Sequence, residues 1–187
     1  MTTHLAIYEP QATRFGAVVD ATTDWDAASP CEGWTARDVL DHVLGTQRDF
    51  LGERLGERGI DLGPTPDLTD PAAAWHAHDA RVRELLADEN VAGQEFAGHF
   101  GPTTVGDTLV RFYGFDLLAH RWDLAQAAGR EERFDDAELD VLEGAIDGFG
   151  EHLYADGICK PALDVPADAD RQARVLARLG RQARAMA

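Results

Sequence analysis

Two residues near the middle of this 187-residue chain have types and a spacing that suit chemistry. Asp116 and His120 are four positions apart, so on a helix their side chains stack on one face. The apolar residues of the same stretch, Gly106–Gly129, recur at helical spacing on that face, which therefore points into a core. An ionised carboxylate in a core is costly unless a cation meets it. The pair therefore indicates either a buried ion pair or a metal site.

His42 is predicted to join this pair from a second helix, where it lies among apolar residues on the inward stripe. Helical bundles build metal sites from inward-projecting histidine and carboxylate side chains on facing helices. Three protein ligands leave one coordination position for water or substrate, which is typical of catalytic rather than structural sites. The predicted metal ligands are therefore His42, Asp116 and His120.

Simpler interpretations of these residues stay open at this stage. A single buried histidine such as His42 is more often a hydrogen-bonded core residue. Asp116 and His120 could form a buried ion pair without any metal. Only the presence of all three residues on inward faces favours a metal.

Two further residues are candidates for a supporting role. His78 lies on the apolar side of a third predicted helix, so it is either a partner or fourth ligand of the metal or a core histidine bonded to backbone. Asp123, one turn after His120, is placed either to orient the imidazole or to pair with Arg121 or Arg130. Cys31 precedes a helix in a turn and is interpreted as structural, because no adjacent base is visible.

Helix-start signals place these residues on a helical scaffold. Thr35-Ala-Arg-Asp38 matches a capping box and predicts a helix from Ala36 toward Leu55. Asp70-Pro71 predicts the start of a helix that runs to about Ala87. A second capping box at 104–107 opens the helix that carries Asp116, and Gly129 closes it.

Further helices are predicted over residues 10–22, 136–153 and 168–185, and no convincing strand is found. The predicted fold class is therefore all-α, a four-helix bundle with additional C-terminal helices. We predict a single domain over 1–187, with the core bundle at about 8–129 and a C-terminal helical extension at about 130–187.

Composition narrows the function classes. Hydrophobic residues make up 44% and charged residues 27%, as in ordinary globular proteins. The net charge of −17 argues against unaided binding to nucleic acid or to an anionic membrane surface. Two cysteines, far apart, and no signal-peptide pattern at Met1–Pro10 predict a cytoplasmic location. No apolar run is long enough to span a bilayer.

The segments SPCEGWTARDVLDHVLG and, later, LLAHRWDLAQAAG carry a family resemblance. Together they resemble the metal-binding domain of mycothiol-dependent maleylpyruvate isomerases, and more closely its stand-alone actinobacterial relatives in the DinB-like four-helix-bundle superfamily. The resemblance covers most of the chain, and DVPADADRQARVLARLGR resembles the closing segment of the stand-alone proteins. It implies a divalent metal held by His42, Asp116 and His120, most often zinc, with nickel or another first-row metal as the alternative.

The sequence also departs from that family in two respects. The isomerase has Glu where this chain has Asp116, and the shorter carboxylate reaches less far toward a metal. The isomerase has a separate C-terminal domain for which this chain has too few residues, so maleylpyruvate isomerisation itself is not implied.

The leading hypothesis is a divalent-metal-dependent enzyme that uses a low-molecular-weight thiol on a small electrophilic substrate, as a mycothiol-type S-transferase or isomerase. The expected partners are a small-molecule substrate and a thiol cofactor such as mycothiol, and the family resemblance adds a homodimer as an option. The alternatives are a metal-dependent hydrolase without a thiol, in which the ion activates water, and a non-catalytic module that binds metal or a small ligand. A stress-response homodimer would be of the latter kind.

Overall fold

Four long helices form the bundle that the sequence predicts. The computed structural model describes residues 2–155 and 157–182. Its elements, in chain order, are α1 (Thr3–Ala21), α2 (Ala36–Leu55), α3 (Pro71–Ala87), α4 (Glu89–Ala92), β1 (Glu95–Gly98), β2 (Gly101–Thr104), α5 (Val105–Ala127), α6 (Asp136–Phe149) and α7 (Arg171–Arg178). Short 3₁₀ turns follow α2 and α6, at Gly56–Arg58 and Gly150–Tyr154.

The bundle consists of α1, α2, α3 and α5. Helix α1 packs against α3 and α5, and α2 packs against the same two helices. Helices α1 and α2 therefore occupy opposite corners of the bundle. Helix α2, which carries His42, lies beside α5, which carries Asp116 and His120. Within the described residues, no helix is long and apolar enough to cross a membrane.

Helix α5 is buried on two sides and is the central element of the structure. One side contributes Leu109, Tyr113 and Leu117 to the bundle core. The other side places Phe115, Leu118 and Trp122 in a second apolar cluster with residues of α6 and α7. Because little of α5 faces water, each charged side chain in its buried half needs a partner inside the protein.

The predicted boundaries of α2 and α3 are confirmed. In α2, the Thr35 side chain accepts a hydrogen bond from the Asp38 backbone N–H, and the Asp38 carboxylate accepts one from the Thr35 N–H. Asp70 caps α3 ahead of the proline in its first turn. These starts depend on side chains within three positions of one another, so the sequence alone reveals them.

Three other helices differ from the prediction in their boundaries. Helix α1 begins at Thr3 rather than residue 10, because Thr2 caps it and Pro10 is accommodated inside the helix. Helix α6 ends at Phe149 rather than 153, because Gly150 has φ +53° and breaks the helical path. Helix α7 spans only Arg171–Arg178. Positions 183–185 of the predicted last helix lie outside the described residues.

The prediction that the chain has no strand was wrong. Strands β1 and β2 pair antiparallel around a two-residue turn, with Glu95 opposite Thr104 and Gly98 opposite Gly101. Each strand is four residues long and contains glycine, and β2 also contains Pro102, so alternation of apolar and polar residues is absent. In a two-stranded ribbon every strand is an edge, where proline is tolerated.

A matched pair of glycine substitutions tests the packing of α1 on α3. A Cβ at Gly16 would lie 2.8 Å from Nε1 of the fully buried Trp75, whereas a Cβ at Gly144 in α6 would meet nothing within 4 Å. Gly16→Ala is expected to destabilise the protein by about 1–3 kcal/mol through overpacking. Gly144→Ala is expected to stabilise it by about 0.5–1 kcal/mol through helix propensity. Urea unfolding measures both, and equal effects would contradict the close approach.

Candidate metal centre

The three predicted ligands lie together between α2 and α5. Asp116 Oδ1 is 3.3 Å from His120 Nε2, and Asp116 Oδ2 is 3.8 Å from His42 Nε2. One ligand atom from each residue lies within 4.8 Å of those of the other two. Two donors on one zinc-like ion, each bonded at about 2.0–2.2 Å, are roughly 3–4 Å apart. The spacing of the three side chains therefore fits a single ion with only small side-chain movements.

The environment of one carboxylate oxygen favours a cation at this group. Asp116 Oδ2 is buried and, among the described residues, accepts no hydrogen bond. A buried carboxylate oxygen without a donor is costly, and a cation between it and the two imidazoles would remove that cost. The side chains of His42, Asp116 and His120 are 30%, 18% and 8% exposed, so solvent reaches the group from the His42 side.

The ionisable side chains of this group shift one another's pKa values. Burial alone would lower the pKa of His120, but the Asp116 carboxylate and then Asp123 raise it well above its ordinary value. Burial alone would raise the pKa of Asp116, but the imidazoles of His120 and His42 hold it below its usual range. Without metal, His120 is therefore an imidazolium between two carboxylates at neutral pH.

Metal binding at pH 7 is consequently expected to release about one proton, because a ligating imidazole must be neutral. Because the Asp116 and Asp123 carboxylates hold the pKa of His120 well above its ordinary 6.5, the metal-free imidazole is expected to carry this proton at pH 7. Apparent affinity should fall about tenfold for each pH unit of acidification below that pKa. Calorimetric titration with Zn²⁺ in buffers of different ionisation enthalpy counts the proton. A binding enthalpy that is independent of the buffer would contradict the expected proton release.

The imidazole nitrogen of His120 that does not contact Asp116 has a carboxylate partner of its own. This nitrogen, Nδ1, is 2.9 Å from Oδ2 of Asp123, whose side chain is fully buried. Of the roles considered for Asp123, the structure therefore places it against the imidazole, and Arg121 instead pairs with Glu138 and Glu132. A carboxylate on the far nitrogen fixes the tautomer of a ligating histidine and directs its other nitrogen to the metal.

Cys31, His120 and Asp123 form a second group with metal-ligand spacing. The Cys31 thiol donates to Asp123 Oδ2 at 3.3 Å, but the guanidinium of Arg181 lies 2.6 Å from the same oxygen. A metal ion here would have to compete with a cation that is already in place. The group of His42, Asp116 and His120, with its unsatisfied oxygen, is therefore the better candidate centre.

Cys31 and Arg181 are members of the site that sequence reasoning missed. The sequence favours a structural role for Cys31 because Asp123, which accepts a hydrogen bond from its thiol, is 92 positions away. Arg181 comes from an arginine-rich segment in which no spacing distinguishes one arginine from the next. Only the tertiary fold brings these two residues to His120.

The turn before α2 places a tryptophan over the ligands. Gly33 has φ +78°, a conformation that favours glycine, and it allows the Trp34 N–H to donate to the Cys31 carbonyl. The Trp34 ring centroid lies 5.0 Å from that of His42 and 6.2 Å from that of His120. The indole therefore forms an aromatic wall on one side of the two imidazoles.

The structure does not bring His78 to this group. Its Nε2 lies 3.0 Å from Gln47 Oε1 in the bundle core, and its side chain packs near Trp75. Burial, with a contribution from Arg48, lowers the pKa of His78 to about 4, so it stays neutral. The interpretation of His78 as a core histidine agrees with these contacts, although its partner is a side-chain amide rather than backbone.

The comparisons with known proteins agree with this architecture. Two uncharacterized proteins of Mycobacterium tuberculosis, from strains CDC 1551 and H37Rv, are each 29% identical over 108 residues, which is 57% of this chain and 56% of theirs. The match thus spans little more than half the length of these curated relatives. No solved structure matches. The family model for the mycothiol maleylpyruvate isomerase N-terminal domain, a DinB-like helical bundle, matches residues 8–125. Because this match covers more than half of the sequence, the chain belongs to the mycothiol maleylpyruvate isomerase N-terminal domain family.

Proposed function

We propose that this protein is a divalent-metal-dependent enzyme that joins a low-molecular-weight thiol of the mycothiol type to a small electrophilic substrate. The observation that carries the metal part is the buried Asp116 Oδ2, which has no hydrogen-bond donor among the described residues and belongs to a carboxylate that lies beside two imidazoles. The thiol part is supported by family membership, since the family description names mycothiol. His42, Asp116 and His120 would hold the ion, and two nitrogens with one oxygen suit zinc, with nickel as the alternative.

A bound divalent ion would supply one element of the chemistry, because it lowers the pKa of a coordinated thiol so that the thiolate forms at neutral pH. The protein's own residues provide the orientation. With an ion bound, Asp123 would keep the one remaining proton of His120 on Nδ1, so that the lone pair of Nε2 would be available to the ion. Asp116 and His120 are fixed on the buried α5, which limits how far either donor can move.

The exposure of the three ligand side chains indicates from which side a small molecule would reach the centre. His42 is the most exposed of the three side chains, so a small molecule approaches the centre from its side. Trp34 borders that approach and offers an apolar face to a bound thiol or substrate. In the proposed reaction the thiol loses its S–H proton to solvent, and its sulfur forms a bond to an electrophilic carbon of a conjugated double bond. The π electron pair of that double bond moves away from the attacked carbon and takes up a proton from solvent.

The test is thiol consumption by the metal-loaded protein. Untagged protein with one equivalent of Zn²⁺ is incubated with mycothiol and a panel of small electrophiles, and the adducts are measured by mass spectrometry. We expect adduct formation that requires both metal and protein and that Asp116→Asn abolishes, while Asp147→Asn on the exposed face of α6 leaves it intact. Turnover of esters or amides without thiol would favour a hydrolase instead, and tight metal binding without turnover would favour a binding module.

A further inference from the structure

The C-terminal segment reaches back to the candidate metal centre through one side chain. Arg181 lies beyond residues 8–125, which the family model matches. Its Nη2 is 2.6 Å from Asp123 Oδ2, and its Nε is 2.9 Å from Asp123 Oδ1. The side chains of Arg181 and Asp123 are 11% and 0% exposed, respectively. A two-point contact between guanidinium and carboxylate, largely out of water, is a strong and directional interaction.

The backbone after α7 is shaped to deliver this side chain. Gly180 has φ +68°, and the N–H groups of Gly180 and Arg181 donate to the carbonyls of Ala177 and Leu176 in a Schellman motif. A Cβ at Gly180 would lie 2.7 Å from Lys160 Cβ and 2.9 Å from the Lys160 carbonyl oxygen. The chain therefore makes a sharp turn at Gly180, packed against the backbone at Lys160. This turn directs the Arg181 guanidinium toward α5.

A continuous series of polar contacts leads from this guanidinium to the ligands. Arg181 holds Asp123, and Asp123 holds Nδ1 of His120 at 2.9 Å. The opposite nitrogen of His120 lies 3.3 Å from Asp116. Without Arg181, the buried Asp123 carboxylate would keep only the His120 imidazole and the Cys31 thiol as partners, and it would lose the two-point contact that fixes its orientation.

We propose that Arg181 is a positioning residue of the metal centre, which fixes His120 for the ion by holding Asp123 against it. The proposal rests on the metal-binding part of the proposed function and not on the thiol chemistry. It makes the C-terminal segment part of the site, although the segment supplies no ligand.

A thermodynamic consequence is reciprocal coupling between the segment and the metal. If the docked Arg181 improves the affinity of the centre for an ion, a bound ion must stabilise the docked segment by the same factor. Outer partners of ligating histidines contribute about 10–100-fold in metal affinity. The coupling should therefore be measurable as a change in metal affinity when Arg181 is replaced, and as a change in the stability of the docked segment when metal is added.

The experiment compares Arg181→Gln with Arg178→Gln. Arg178 is the last residue of α7, and it pairs with Asp147 at the surface, so its variant controls for the loss of one arginine from this segment. Zn²⁺ affinity is measured by chelator competition, and the Co²⁺ absorption spectrum reports the ligand geometry. We expect Arg181→Gln to bind Zn²⁺ about 10–100-fold more weakly, with an altered Co²⁺ spectrum. Arg178→Gln should match the wild type, and Arg181→Lys should recover only part of the affinity because it lacks the fork geometry.

Gly180→Ala provides a second route that retains the guanidinium. The added methyl group would displace the backbone at Lys160 and thus Arg181, while Gly129→Ala introduces the same left-handed strain at the end of α5 with nothing within 4 Å. We expect weaker Zn²⁺ binding only for Gly180→Ala. Hydrogen exchange over residues 171–182 should slow on addition of Zn²⁺ in the wild type but not in Arg181→Gln.

The outcomes separate the two proposals. Wild-type affinity and an unchanged Co²⁺ spectrum in both Arg181→Gln and Gly180→Ala would overturn the positioning role and leave the metal centre standing. A wild-type chain that binds neither Zn²⁺ nor Co²⁺ would remove the metal centre, and the role of Arg181 would fall with it.

Discussion

Replacing both His42 and His120 with alanine is expected to reduce the metal content of untagged protein from near one equivalent to trace amounts. The two imidazoles supply two of the three donor atoms that come within 4.8 Å of one another, and Asp116 alone cannot hold a divalent ion against water. Each single replacement should weaken binding by more than the roughly 100-fold that loss of an outer partner costs. Elemental analysis and chelator competition on folded protein provide the measurement.

A matched control distinguishes the centre from adventitious histidine binding. His76 in α3 is an exposed histidine paired with Asp20, so His76→Ala removes one imidazole without touching the site. We expect His76→Ala to retain the wild-type metal content. Equal, substoichiometric metal in the wild type, the double variant and the control would exclude the centre.

Local signals explain which parts of the structure the sequence could predict. The start of α2 depends on Thr35 and Asp38, which satisfy each other's backbone groups within one turn. The i, i+4 spacing of Asp116 and His120 holds in any α-helix, so their shared face needed no tertiary information. The grouping of His42 with them followed from the apolar stripe of each helix.

The parts that the sequence did not reveal depend on distant residues. From the sequence alone, Asp123 could be assigned to His120, to Arg121 or to Arg130. In the structure Asp123 contacts His120, whereas Arg121 pairs with Glu132 and with Glu138 of α6. The hairpin β1–β2 lacks an apolar alternation, so its pairing is visible only in three dimensions. Arg181 is specified by the turn at Gly180 and not by any motif of its own.

The largest stability effect is expected at Arg121, the buried cation of α5. Its side chain is 1% exposed. Nη1 donates to Glu138 Oε1 at 2.6 Å, and Nη2 donates to Glu138 Oε2 at 2.9 Å. The third nitrogen, Nε, lies 2.8 Å from the carboxylate of Glu132. Arg121→Met keeps much of the volume but leaves two partly buried carboxylates without this cation. We expect a loss of about 3–5 kcal/mol in the free energy of unfolding, and a fall in Tm of roughly 6–20 °C.

An exposed ion pair provides the control for this substitution. Arg133 is 64% exposed and contacts Glu131 and Asp170, so Arg133→Met should change stability by less than about 1 kcal/mol. Urea unfolding at pH 7 measures both variants. An Arg121→Met effect as small as that of Arg133→Met would mean that water or Arg14, which also contacts Glu138, compensates for the lost cation.

The effect of Arg121→Met should also depend on pH in a defined direction. Burial alone would raise the pKa of Glu138, but Arg121 and then the backbone N–H of Asp135, the residue that caps α6, lower it below its usual range. A carboxylate with a depressed folded-state pKa contributes stability above its unfolded pKa of about 4.3 and loses it as the pH falls through the folded value. Loss of Arg121 raises the pKa of both Glu138 and Glu132 in the variant. The difference between wild type and Arg121→Met should therefore be full near pH 7 and shrink as the pH falls through the range in which these carboxylates become protonated. A difference that stays constant into acid would show that Arg121 acts through packing against Phe134 rather than through its charge.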